Sequence, residues 1–179
     1  MNAADIRGLV VQALLGKTAA QSRVYSPRDW STRGEDYPCL LVQTPFDHKK
    51  SLGRNAPQFH TVTTVRVTGR LEAFDDEEEG GAEQAELALE ALREQIERAV
   101  INSYELTRVT QQFAEIRSQI DIDASGESHL AQLLMDIDIE YYQGPEDFYP
   151  VNANPLDGIN VTIAMPEHTP TPHISIDLE

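Results

Sequence analysis

Hydrophobic and polar positions alternate most regularly along the chain between residues 59 and 74. Val65 and Val67 lie on one side of this alternation, whereas Arg66 and Arg70 lie on the other. A period of two predicts a β-strand with one face toward a core. At about 3.3 Å per residue the segment would reach about 50 Å, far beyond a usual strand of about 5 to 6 residues. We therefore expect a long strand, part of which protrudes from the domain.

Two segments repeat apolar residues at helical spacing. The first lies between Asn2, which can cap its start, and Gly16, which can end it. The second follows the acidic run 75–79, which suits either a solvated linker before a helix start or a partner-binding patch. The two apolar stripes are Ile6, Leu9, Val10, Ala13 and Leu14, and Ala85, Leu89, Leu92, Ile96 and Val100.

The segment before the long strand predicts a short strand at Val24 and a core strand from Cys39 to Gln43. Between Pro45 and Pro57 the composition changes to polar and turn-forming residues, so we expect an exposed hairpin tip. This tip carries a basic cluster, which we predict to be a subunit or partner interface together with Arg66 and Arg70. The basic cluster consists of Lys49, Lys50 and Arg54.

Two more alternating segments flank the sequence DASGES, 123–128, and predict a β-hairpin. Its outer face is acidic and is our candidate for a surface that faces a channel. The acidic positions are Asp121, Asp123, Asp136, Asp138 and Glu140. Arg66 and Arg70 can pair with the last three across strands of one sheet, or the same pairs can form between subunits.

The last segment, 144–179, holds six of the ten prolines and no Lys or Arg. Proline at this density disfavours helices and central strands, so we expect an extended arm with one short strand at Ile159–Met165. Val161 and Ile163 have no place in the preceding core and are candidates for docking on a neighbouring subunit or partner. A flexible terminus is the alternative. The predicted organisation is one domain, 1–143, followed by this arm.

Composition narrows the function classes. The formal charge of -16 disfavours binding DNA or an anionic membrane along a wide face. The single cysteine, Cys39, excludes an internal disulfide and a CxxC metal site. The N-terminal apolar segment is far below the roughly 20 residues of a membrane span and has no signal-peptide pattern, so we expect a soluble protein made in a cytoplasm.

The sequence offers only weak candidates for a metal-binding or catalytic site. Asp121, Asp123, Ser125 and Gly126 match the first half of an EF-hand calcium loop, but Gln132 stands where a bidentate Glu is required. We therefore expect a turn there and no metal. The five histidines lack metal-site spacing, and no phosphate-binding loop or nucleophile motif occurs. The expected protein has no cofactor and is not an enzyme.

The order of the predicted elements resembles a known family. A short helix, the sequence "RVYSPRDWSTRGEDYPCLLVQTP", the strand "PQFHTVTTVRVTGRLEA", an acidic-led helix and a hairpin ending "LAQLLMDIDIEYY" follow one another. Over about residues 3 to 143 this arrangement is similar to that of the minor tail proteins of long-tailed bacteriophages that act as tail terminators. The segment 144–179 departs from the shorter members of that family.

The resemblance implies an α+β subunit with a sheet packed against helices. Combined with the elements predicted above, the expected fold is a mostly antiparallel sheet packed against two main helices, with a long protruding hairpin and an extended C-terminal arm. The resemblance also implies a hexameric ring in the virion tail, assembled in the host cytoplasm, that caps the tail tube and ends its polymerisation. The implied partners are other copies of the chain, the tail tube protein and a head-completion protein. DNA would pass through the central channel without specific binding.

Two other classes of function stay open at this stage. A different head–tail connector or baseplate component would share the α+β topology. A soluble domain that binds a metal ion or a small molecule would instead show a ligand-dependent thermal shift.

Overall fold

The computed structural model describes residues 1–27, 36–54, 57–74, 81–123, 128–149, 158–162 and 173–177. The chain divides into two compact units, Met1–Phe148 and Tyr149–Glu179. The helices are α1 (Ala3–Leu14), α2 (Gly81–Ile101) and the short α3 (Tyr104–Thr107). The strands of the first unit are β1 (Val24–Tyr25), β2 (Cys39–Ser51), β3 (Phe59–Phe74), β4 (Gln112–Asp123) and β5 (Ser128–Gln143). No helix among the described residues is long and apolar enough to cross a bilayer.

The first unit is built on one five-stranded sheet with the order β1-β2-β3-β5-β4. β1 pairs parallel with β2, and every other pairing in this sheet is antiparallel. Helices α1 and α2 contact the same sheet through their apolar stripes. This arrangement confirms the predicted α+β class with two main helices and a long hairpin, β2–β3.

The two predicted helical stripes form the helix side of the core. Asn2 caps α1 by accepting hydrogen bonds from the backbone N–H groups of Ala4 and Asp5, and the Asp5 carboxylate in turn accepts one from the Asn2 N–H. Gly16 follows α1 with a φ of 68°, a left-handed conformation that glycine adopts without steric cost. The buried residues of α2 include the whole predicted stripe.

The sheet side of the core comes from the inward positions of β2, β3 and β5. These buried residues are Leu40, Val42, Val65, Val67, Leu71, Ala131, Leu133, Met135, Ile137, Ile139 and Tyr141. At Gly69, on β3, the helix packs so closely that an added Cβ would lie 2.9 Å from Leu92 of α2 and 3.5 Å from both Leu133 and Leu40. The alternation of the sequence therefore predicts the buried face, and glycine at position 69 permits a close contact between α2 and the sheet.

The prediction of a loop from Pro45 to Pro57 was wrong for its first half. β2 continues through Pro45 to Ser51, and the pairing register with β3 shifts between Gln43 and Phe46. A bulge tolerates proline because the bulged residue need not donate to the ladder. From Pro45 onward β2 is exposed, whereas β3 pairs along its full length with β5. In the outer part of the long hairpin, β2 is therefore the exposed strand.

The second unit contains two strands, β6 (Gly158–Thr162) and β7 (His173–Asp177), which pair antiparallel. The sequence predicts one strand here, at Ile159–Met165. It does not predict the second strand, because proline at the density found in this segment disfavours central strands. Pro166, Pro170 and Pro172 all lie between the two strands, where they remove no hydrogen bond of this ladder.

Candidate subunit interface

The sheet face opposite the helices carries an ordered set of charges on β3, β5 and β4. Arg66 of β3 lies directly opposite Asp136 of β5. The Arg66 Nε donates to Asp136 Oδ1 at 2.7 Å and one terminal nitrogen donates to Oδ2 at 2.8 Å. Two parallel hydrogen bonds between a guanidinium and a carboxylate fix both distance and orientation. The pair therefore defines the register of β3 against β5 on this face.

Arg117 of β4 extends the set on the other side of β5. It lies opposite Asp136 in the β4–β5 register, donates to Asp138 Oδ2 at 3.1 Å and contacts Glu115 at 3.2 Å. The Thr64 hydroxyl donates to the other oxygen of Asp138 at 2.6 Å. Each carboxylate of this part of β5 thus has a donor or a cation on both neighbouring strands.

Glu140 completes the row. It accepts a hydrogen bond from the Gln112 side chain at 2.5 Å and lies 3.4 Å from Nδ1 of His60. The same His60 nitrogen is 2.9 Å from the side-chain oxygen of Gln111. We call the set Arg66, Asp136, Arg117, Asp138 and Glu140 the charge ladder.

Arg66 and Asp136 shift each other's pKa values. The hydrogen bonds from Arg66 hold the pKa of Asp136 below its ordinary value, against the opposing effect of partial burial, and the charge of Arg117 adds to the lowering. The hydrogen bond to Asp136 likewise raises the pKa of Arg66. Both groups are therefore charged at neutral pH, and their interaction favours the charged forms.

The predicted acidic face is consequently a face of mixed sign. Asp136, Asp138 and Glu140 lie together as predicted, but each has a hydrogen-bond donor or a cation beside it within the chain. Asp121 lies farther along β4, opposite Gln132, and is exposed. Asp123 is the last residue of β4, and its side chain lies outside the described residues.

The residues of the basic cluster occupy three different settings. Lys49 is on the helix side of β2, donates to the side-chain oxygen of Gln143 and lies 3.0 Å from Asp47. Lys50 is exposed on the opposite side, facing His60 across the hairpin. Arg54 is exposed beyond the end of β2. Lys50 and Arg54 are therefore the members of the cluster most accessible to a partner.

Arg70 is separate from the charge ladder. It lies opposite Cys39 on one side and Gln132 on the other. With Tyr37 and Asp121 it lines a shallow groove of about 250 Å³. The structure therefore places the two arginines of β3 in different environments, although their spacing in the sequence puts them on one face.

A buried polar network near the turn end of the β2–β3 hairpin was not predicted from the sequence. The Thr63 hydroxyl donates to Asp47 at 2.5 Å and lies 3.1 Å from the Tyr141 hydroxyl, while Thr61 donates to Gln143 at 2.8 Å. Burial is the main reason why the pKa of Tyr141 is raised. The available signal was the polar character of Thr61 and Thr63 at inward positions of an otherwise apolar alternation.

The remaining predicted positions are only partly described. Val161 lies on β6 opposite Ile174 of β7, and its side chain is outside the described residues, as is the whole of Ile163. Residues 124–127, the turn considered for calcium, are also outside them. Among the residues that the structure does describe, no three His, Cys, Asp or Glu side chains converge as a metal site requires.

The two outer strands of the sheet complete the geometry of the surface. β4 is the last strand on one side. On the other side β1 pairs only with Leu40 and Leu41 of β2, so from Val42 onward β2 has no strand on the side away from β3 in the described part of the chain. We call β4 and the segment Val42–Ser51 the two open edges.

No protein-family model and no curated protein sequence matches the chain.

Proposed function

We propose that this protein is a structural component of the tail of a long-tailed bacteriophage. In this role copies of the chain form a closed ring that caps the tail tube, ends its polymerisation and presents a surface to a head-completion protein. The support begins with the resemblance in element order over about residues 3 to 143. The α+β fold, with one sheet, two main helices and a long hairpin, agrees with what that resemblance implies.

The observation that carries the proposal is the charge ladder on the helix-free face of the sheet. A ring around passing DNA needs a channel surface that does not retain phosphates. Arg66 and Arg117 would attract phosphates if their charges were unopposed, but both are hydrogen-bonded to carboxylates of β5. Together with a formal charge of -16, this arrangement favours DNA passage over DNA binding.

Ring assembly also suits the open edges of the sheet. A head-to-tail contact between identical subunits uses two different surfaces of each copy and closes into a ring when the rotation permits. A chain with one open edge at each side of its sheet offers two such surfaces. The proposed role needs no catalytic residue and no cofactor, because the protein would act by assembly alone.

The test is single-particle electron microscopy of the concentrated protein, with the mass measured by light scattering on the same sample. We expect closed hexameric rings with a central channel. In a second arm, the protein is added to growing tail tubes of the same phage, and the tube lengths are compared with and without it. Shorter tubes with a ring at one end are expected. A chain that stays monomeric in both arms would overturn the proposal.

A further inference from the structure

The two open edges are unusual for a protein that works alone. An exposed strand offers a row of unpaired backbone N–H and C=O groups to any other strand, and monomeric proteins usually shorten or block such edges. β4 runs for 12 residues and contains neither proline nor glycine. Ile116 and Ile120, on its helix side, are only partly buried. β4 is therefore long, regular over most of its length and incompletely covered.

The strand directions decide how another copy can meet β4. From β2 through β3 and β5 to β4 every neighbour is antiparallel, so β2 and β4 run in opposite directions. A second copy placed beside the first in the same orientation brings its β2 next to β4 of the first. The alternation of directions then continues across the contact without a break, and the new pairing is antiparallel.

The charges of the two edges favour the same contact. Near its end the open segment of β2 carries Lys50 on the outer side of the sheet, the side on which β4 carries the exposed carboxylates of Glu115 and Asp121. The other charges of the two edges, Lys49 with Asp47 and Arg117 with Glu115, are each paired within the chain. Contact between one β2 edge and one β4 edge brings the opposite charges of Lys50 and of the β4 carboxylates together. Contact between two β2 edges would instead provide neither Glu115 nor Asp121 as a partner for the lysine.

We propose that copies of this chain join head to tail by antiparallel strand pairing, with β4 of one copy beside Val42–Ser51 of the next. The bound species is a second copy of the chain, held mainly by backbone hydrogen bonds and oriented by charge. This inference rests on the proposed ring assembly, because it names the surface through which the ring would form. It goes further in stating that the sheets of neighbouring subunits become one continuous sheet.

Cysteine crosslinking tests the contact in the full chain. Gln119→Cys places a thiol on the outer side of β4, and His48→Cys places one on the same side of β2, as judged from their partners Leu134 and Val62. A disulfide forms only when the two Cα atoms come within about 7 Å, so the bond reports direct pairing. Phe46→Cys and Lys50→Cys, each combined with Gln119→Cys, test the neighbouring registers on the same side of β2. Cys39 is buried and stays in every variant.

We expect one of the three double variants to give a ladder of covalent dimers, trimers and larger species on a denaturing gel under oxidising conditions. Each single variant should give no such ladder, because one thiol cannot link more than two chains. The matched control combines Gln119→Cys with Glu90→Cys, which is exposed on α2 and belongs to neither edge strand. This control should remain largely monomeric on the gel.

The outcomes separate this inference from the proposed function. Assembly by light scattering without a ladder from any of the three edge pairs would overturn strand pairing and leave the ring. A series of crosslinked species on the gel, with open filaments and no closed rings in the micrographs, would support strand pairing and overturn the ring. A series of crosslinked species that stops at one maximum size, with closed rings in the micrographs, would support both strand pairing and the ring. A chain that is monomeric at every concentration and also on growing tail tubes would overturn both.

Discussion

Arg66 and Asp136 face each other on neighbouring strands of the sheet and are joined by two hydrogen bonds of 2.7 and 2.8 Å. The carboxylate is about one-fifth exposed and the guanidinium about one-third, so water reaches the pair only partly. A two-point contact of this kind is stronger than a typical surface ion pair, which contributes about 0 to 1 kcal/mol. The pair also opposes any shift in register, because a one-residue slip would move Arg66 to the helix side.

A double-mutant cycle measures the interaction between these two side chains. Arg66→Gln and Asp136→Asn should each lower the free energy of unfolding by about 1 to 3 kcal/mol, since each leaves a charged hydrogen-bonding group without its partner. The double variant should lose less than the sum of the two. Urea unfolding of the four proteins gives the coupling energy. Strictly additive losses would show that the contact contributes no interaction energy of its own.

The pH dependence of stability should contain a contribution from Asp136. Its pKa is lowered in the folded protein, chiefly by the hydrogen bonds from Arg66, whereas an unfolded Asp titrates near about 3.9. The stabilisation is therefore present above about pH 4 and is lost as the pH falls through the folded pKa. Measured from about pH 7 down to about pH 3, the gap in stability between the wild type and Asp136→Asn should narrow. A gap that is constant over this range would contradict the assignment.

A larger side chain at Gly69 should destabilise the fold. A Cβ there would lie 2.9 Å from a terminal carbon of Leu92, so Gly69→Ala requires α2 or its side chain to move. We expect a loss of about 1 to 3 kcal/mol in the free energy of unfolding, the usual range for overpacking. Gly8→Ala is the matched control, because nothing lies within 4 Å of its added methyl group on α1. That control should gain about 0.5 to 1 kcal/mol from helix propensity.

The buried polar network should depend on the hydroxyl of Thr63. Thr63→Val removes the partner of the Tyr141 hydroxyl and a donor to Asp47, so we expect a loss of about 1 to 3 kcal/mol. Thr63→Ser keeps the hydroxyl and should recover much of this loss. Tyr141→Phe should cost less than Thr63→Val, because Thr63 still donates to Asp47. Equal stabilities of the Val and Ser variants in thermal unfolding would exclude a role for these hydrogen bonds.

The sequence predicted the parts of this fold that depend on local periodicity. The apolar stripes of α1 and α2, the alternation along β3 and the terminal hairpin each show a pattern that one segment carries by itself. The strand through Pro45 was missed because proline usually ends a strand, and the tolerance for it comes from a bulge opposite β3. Such a bulge depends on the partner strand and has no signature within the segment.

For the charged face of the sheet, the sequence likewise predicted only what depends on local periodicity. The alternation placed Arg66, Asp136 and Asp138 on one face, but the choice of partner depends on strand order and register, which are properties of the assembled sheet. Arg117 was not singled out, although it completes the charge ladder, because an isolated arginine in a predicted strand resembles any other exposed cation. The open edges likewise follow from the strand order, β1-β2-β3-β5-β4.

Charge reversal on the exposed side of β2 should weaken assembly without unfolding the subunit. Lys50→Glu changes an exposed residue of the open edge that would approach the carboxylates of β4 in the next copy. Arg108→Glu is the control, because it makes the same change of charge on the exposed end of α3. Exposed ion pairs contribute about 0 to 1 kcal/mol each, so the half-assembly concentration should rise by up to about fivefold in Lys50→Glu.

The salt dependence of assembly shows whether charge attraction causes the difference in half-assembly concentration between Lys50→Glu and the wild type. At about 0.15 M ionic strength the screening length is about 8 Å, and at about 1 M it is about 3 Å, so the gap in half-assembly concentration between Lys50→Glu and the wild type should shrink as salt is added. Light scattering over a concentration series at low and high salt measures it, and unchanged melting temperatures of both variants show that the subunit is intact. If Arg108→Glu weakened assembly as much as Lys50→Glu, net charge would control association, and the β2 edge would have no special part in it.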